Sequence, residues 1–135
     1  MSRPNNIMKV RCSEDSFYRA WVDFLAPFHK LTKRDREVMA RILQQYFRLK
    51  NSIPDKELFH DVMWSFNSRK DMRESLQMTP AHFQIAIGKL RKAGVLDANN
   101  DLNPRYIPHK TEGSLFILNV IFDWSSESNP VHAQQ

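Results

Sequence analysis

Apolar side chains recur along this chain at helical spacing, in blocks separated by polar or proline-containing breaks. Phe17, Trp21, Phe24 and Leu25 fall at i, i+4, i+7 and i+8, which gives a first helix one apolar face. Ser13 precedes it, Glu14 and Asp15 suit its positive N-terminal end, and Pro27 ends or kinks it. Val38, Met39, Ile42, Leu43, Tyr46 and Phe47 form a second stripe that runs to about Lys50. Thr32 is its expected N-cap, with Asp35 at the third helical position in a capping-box variant. Asn51-Ser52 breaks this helix. Pro54 then suits the first turn of a third, whose face is Leu58, Phe59, Val62, Met63 and Phe66 and which should stop near Asn67-Ser68.

The pattern next predicts a short helix from Arg69 to Leu76, a turn at Gln77-Met78 and a further helix. In MTPAHFQIAIGKLRKAGVL, Thr79 caps that helix, Pro80 takes its first position and Gly94 ends it. Phe83, Ala86, Ile87 and Leu90 fall at i, i+3, i+4 and i+7 and should pack on the Arg69–Leu76 helix and on the Val38–Phe47 stripe. Two helices joined by so short a turn read as a helix-turn-helix. Val95-Leu96 reads as a short strand, residues 97–101 as a turn, and LNPRYIP as a return strand or extended segment kept near an edge by Pro104. Leu115–Trp124, LFILNVIFDW, is a buried strand or a short helix, with its β-branched content favouring the strand.

Composition narrows the class. With 135 residues, 41% hydrophobic and 11% aromatic, the chain can form one packed domain, with or without an N-terminal extension. No apolar run approaches the ~18 residues of a membrane-spanning helix, and MSRPNNIMKVRCSEDS lacks the apolar centre of a signal peptide. Cys12 is the one cysteine, so no internal disulfide forms, and a reducing, cytoplasmic setting is expected.

The net charge of +5 is unevenly spread. Residues 30–50 carry seven Lys/Arg against two Asp/Glu, and residues 68–92 carry six against two. Residues 112–135 carry three acids and no Lys or Arg. Two basic helices and an acidic end point to a polyanion, most simply nucleic acid, although basic helices are also common as plain solvated faces.

The residues around the helix-turn-helix carry a resemblance. A capped helix at Thr79, Phe83 seven before Leu90, Gly94 four after it, and the apolar pair Val95-Leu96 resemble the winged helix-turn-helix domains of bacterial and phage DNA-binding proteins. Leu102-Asn103-Pro104 is similar to the Asn-Pro at the wing end of some plasmid and phage replication initiators. The resemblance covers about residues 31–110. It implies a mostly α fold with a small β-wing (α+β), a winged helix-turn-helix with an extra N-terminal helix, whose second motif helix enters the major groove.

The expected layout is then an N-terminal arm and helix over residues 1–30, a winged-helix domain over 31–124 and a flexible acidic tail over 125–135. By the resemblance, Ala81, His82, Gln84 and Ile85 face bases. Gln84 is suited to a bidentate contact with adenine, and His82 to a base edge or a phosphate. Lys89, Lys92 and Arg105 would lie near phosphates, with Arg69, Lys70 and Arg73 on the opposite backbone. The aromatic first helix would cover the domain or form a dimer arm, so a homodimer or larger homo-oligomer is expected. Two residues depart from the family. Ile85 replaces a residue that is often basic or polar, and Gly88 costs a helix interior roughly 1 kcal/mol against Ala.

Other chemistries find little support. The five histidines show neither HExxH nor Cys/His spacing. His60-Asp61 has no nucleophile beside it, and no glycine-rich phosphate loop is present. The expected function is therefore a double-stranded DNA-binding regulator of transcription or replication, of phage or mobile-element type. It would be no enzyme and would need no cofactor or metal. The alternative is a phage structural or adaptor protein, a virion component that uses the same shape to contact another phage protein. Ile85, Gly88 and the aromatic first helix favour that alternative.

Overall fold

The computed structural model describes residues 7–109 and 115–125. Among these the chain is mostly helical, and no helix is long and apolar enough to cross a membrane. Its helices are α1 (Glu14–Phe24), α2 (Ala26–His29), α3 (Lys33–Lys50), α4 (Lys56–Met63), α5 (Phe66–Ser75) and α6 (Pro80–Lys92). α3 is the central element, and α1, α4, α5 and α6 all pack against it.

Local chemistry sets most of the boundaries. Ser13 and Ser16 form a reciprocal capping box at the start of α1. Thr32 accepts from the Asp35 amide and donates 2.9 Å to the Asp35 carboxylate, so the α3 cap is closed from both sides. Leu25 ends α1 and opens α2, with Pro27 in the first turn of that short helix. Thr79 accepts from the His82 amide, Pro80 leads α6, and Gly94 follows its end at φ 81°. That positive φ is where glycine is favoured over a residue with a Cβ.

The core is one cluster. Val22 from α1, Val38, Met39, Ile42 and Leu43 from α3, Met72 from α5 and Leu90 from α6 are fully buried, with Phe83, Ala86 and Ile87 beside them. α1 belongs to this core. Trp21 is buried in it, and its Nε1–H donates 3.0 Å to the Tyr106 carbonyl. Ion pairs rim the same seam. Arg19 bonds Asp23 and Glu37, and Arg34 bonds Glu37 at 2.7 Å. The Arg34 hydrogen bond holds the Glu37 carboxyl below its ordinary value; burial opposes this and Arg19 adds to it.

A polar network, buried at Gln45 and Ser68, ties α3 to α5. Arg41 donates to Ser75 at 2.7 Å, to Gln45 at 2.9 Å and to Asp71 at 3.2 Å, and Gln45 donates 3.0 Å to Ser68. Burial pulls Arg41 below the ordinary arginine value, with Asp71 opposing that pull.

Several details differ from the sequence reading, among them Phe24 and Leu58, which stand exposed rather than on the buried faces of α1 and α4. Asp55 is the N-cap of α4, so Pro54 stands before the helix and not in its first turn. α4 stops at Met63, and α5 begins at Phe66 rather than Arg69. Ser65 caps α5 by accepting from the Ser68 amide while its hydroxyl donates 2.8 Å to the Val62 carbonyl. Phe66 is thereby removed from the α4 face and stands 73% exposed.

The remaining differences concern strands. Leu96 and Leu102 make a single antiparallel bridge, and no strand forms among the described residues. The expected return strand turns into a 3-10 helix at Pro104–Tyr106. Pro104 has no N–H for a ladder, and Asn103 caps the turn by accepting from the Arg105 amide. Leu115–Trp124 is neither helix nor strand apart from one bridge position at Phe116, which stacks on Phe17 at 4.1 Å. β-branched residues favour a strand only where a neighbour supplies the ladder, and no strand runs beside them among the described residues. Of the expected tail, residues 126–135 lie outside the described residues, as do residues 1–6 of the expected N-terminal arm.

Candidate nucleic-acid interface

α5 and α6 pack together and are joined by a short turn. Gln77 takes the left-handed conformation at φ 55°, and the Met78 amide donates 2.8 Å to the Arg73 carbonyl, reversing the chain within a few residues. The face Phe83–Ala86–Ile87–Leu90 is buried against α3 and α5. The opposite face is therefore turned to solvent. Ala81, His82, Gln84 and Ile85 are all exposed on it, as is Lys89.

The hairpin after α6 is held by side chains more than by a ladder. The Asp97 carboxylate accepts from the Asn99 and Asp101 amides, and Arg91 donates 2.7 Å to Asn100 across the turn. Asn103 donates to the Gly94 carbonyl through its side chain and to the Val95 carbonyl through its amide. His60 joins this turn to α4, meeting Asp101 at 2.9 Å. The structural partner of His60 is thus Asp101, not its sequence neighbour Asp61.

The six basic residues expected near phosphates divide by environment. Lys70, Lys92 and Arg105 are exposed and Arg73 is half-buried, and none of the four has an ion pair among the described residues. Lys89 is exposed but lies 3.8 Å from the buried Asp35 carboxylate, which positions its ammonium at the start of α3. Arg69 is engaged locally. Its Nε donates 2.9 Å to the Trp64 carbonyl and its guanidinium lies over the Trp64 ring. Arg69 thus braces the α4–α5 junction and is the least available of the six.

The chain matches no known family model, no curated protein and no solved structure. The arrangement is therefore read from its own residues.

One contributor escaped the sequence reading. Lys30 and Thr32 share a shallow, open groove of about 240 Å³ with Asp35, Lys89 and Lys92. Periodicity gives no sign of this, because Lys30 lies between helices and reaches α6 only through the packing of α3 on it. Among the described residues no group of three or more His, Cys, Asp or Glu gathers as a metal site would require.

Proposed function

We propose that this chain is a double-stranded DNA-binding protein of winged-helix type, a regulator of transcription or replication in a phage or mobile element. The observation that carries the reading is α6. It turns an exposed face, Ala81, His82, Gln84 and Ile85, away from the core, and this face is flanked by cations on α5 and at its own C-terminal end. An α-helix so flanked fits the major groove, with the helix face on base edges and the cations on phosphates. The hairpin bridged at Leu96 and Leu102 would serve as a rudimentary wing, with Arg105 at its return. In this reading the protein has no catalytic role.

The roles of the two residue classes separate in a binding assay. Removing Lys89 and Lys92 should weaken binding to every duplex alike and flatten the salt dependence. Gln84→Ala should instead change the ranking of duplex sequences, by about 1–3 kcal/mol at a contacted adenine. Equal loss on all sequences from Gln84→Ala would remove base readout from the account.

A second reading has its own support. Ile85 is 57% exposed on the same face, and Ile121, Phe122 and Trp124 are almost fully exposed. Apolar surface of this kind suits protein contacts, either a homo-oligomer or another component of a phage particle.

A further inference from the structure

We propose that Lys30, Lys89 and Lys92 form one phosphate-binding groove, in which the α2–α3 turn supplies a backbone clamp to the flank of α6. The inference rests on the DNA-binding reading and adds to it a residue on a different element. The groove lies between the α2–α3 turn and the C-terminal end of α6, is open to solvent, and measures about 240 Å³. Lys30 and Lys92 have no ion pair among the described residues. Lys89 has only the 3.8 Å approach to Asp35. The Asp35 carboxylate is buried and already accepts from the Thr32 hydroxyl, so it offsets one of the three positive charges and leaves an excess of two.

The turn that presents Lys30 is held on both sides. His29 is buried, its Nδ1 accepts the Leu31 amide at 3.0 Å, and its Nε2 therefore carries the proton donated to the Val22 carbonyl at 2.9 Å. The Lys30 amide itself donates 2.8 Å to the Ala26 carbonyl, and Lys30 sits in the left-handed region at φ 56°. Glycine or asparagine would take that conformation more readily. The lysine thus occupies a conformationally unfavourable position with a fixed backbone, and it lines the same groove as the two lysines of α6. Three lysines lining one open groove suit a phosphodiester, which accepts from several donors at once.

The test measures duplex DNA affinity of the full chain at 50 and 200 mM salt, with Lys30→Gly, Lys30→Arg and Lys50→Ala. Lys30→Gly should lower the slope of log affinity against log salt by about 0.9, the value of one phosphate contact. The advantage of the unaltered chain over Lys30→Gly should then shrink about 3.5-fold between the two salts. Lys30→Arg should keep the slope. Lys50 removes the same charge from the other end of α3, about 27 Å along the helix, and Lys50→Ala should leave the slope unchanged. Lys30→Asn replaces Lys30→Gly should the glycine variant fail to fold. An unchanged slope in Lys30→Gly, or an equal drop in Lys50→Ala, overturns the groove while leaving the DNA reading in place. Absence of salt-dependent binding by the unaltered chain overturns both.

Discussion

His29 shows how single residues set the geometry here. At 4% exposure, with both ring nitrogens occupied, it satisfies a carbonyl of α1 and an amide at the start of the α3 turn. His29→Ala leaves the Leu31 amide without its partner, while the Val22 carbonyl keeps the Leu25 amide at 3.2 Å, and the unfolding free energy should fall by about 2 kcal/mol in a denaturant titration. A loss within a few tenths of a kcal/mol would mean that water replaces the ring. Glu37 gives a pH signature of defined sign. Its carboxyl is held below the ordinary 4.5, first by the Arg34 hydrogen bond. Its contribution is therefore present above pH 4.5 and lost as pH falls through the lowered folded value. Unfolding measured from pH 7 to pH 3 should show a shallower acid loss in Glu37→Gln than in the unaltered chain. Little of this was legible beforehand. Charge and histidine counts are visible in a sequence, but partners such as Val22 for His29, or Asp101 for His60, are made only by the tertiary fold.

At the scale of elements, the strongest sequence signals were caps backed by a long period. Thr32 and Thr79 cap α3 and α6, Gly94 follows α6, and the buried face of α6 is the one its spacing dictates. The α4–α5 junction was missed because Ser65 interrupts a run whose apolar period continues through Phe66. The strands were over-read because short apolar segments carry no information about whether a ladder partner exists. Gly88 can now be weighed physically. A Cβ added there meets only the Arg91 Nη2, at 3.9 Å, which is ordinary contact. Gly88→Ala should therefore stabilise α6 by about 1 kcal/mol, read as a higher denaturation midpoint. If a partner's backbone approaches Gly88, the same variant should bind that partner less well despite its greater stability. Leu90→Ala, at a fully buried position on the opposite face, should cost about 2–5 kcal/mol.

Across the whole molecule, Lys30 on the α2–α3 turn lines one open groove with Lys89 and Lys92 of α6. One cation of the first basic segment and two of the second thus share a groove. Their total charge was legible, whereas their convergence on one groove was not, since it depends on how α3 crosses α6. The largest exposed apolar side chains, Phe122 and Trp124, belong to 115–125, which Phe116 anchors to Phe17. The proposed DNA-binding residues and the exposed apolar residues of 115–125 are therefore different sets, and one experiment can tell the two readings apart. The most direct is amide chemical-shift mapping of the full chain on addition of duplex DNA at low salt. The largest shifts are expected at Ala81, His82, Gln84 and Ile85, with further shifts at Lys30, Lys89 and Lys92, all collapsing as salt rises. Shifts that are absent, or confined to 115–125 and α1, would contradict it.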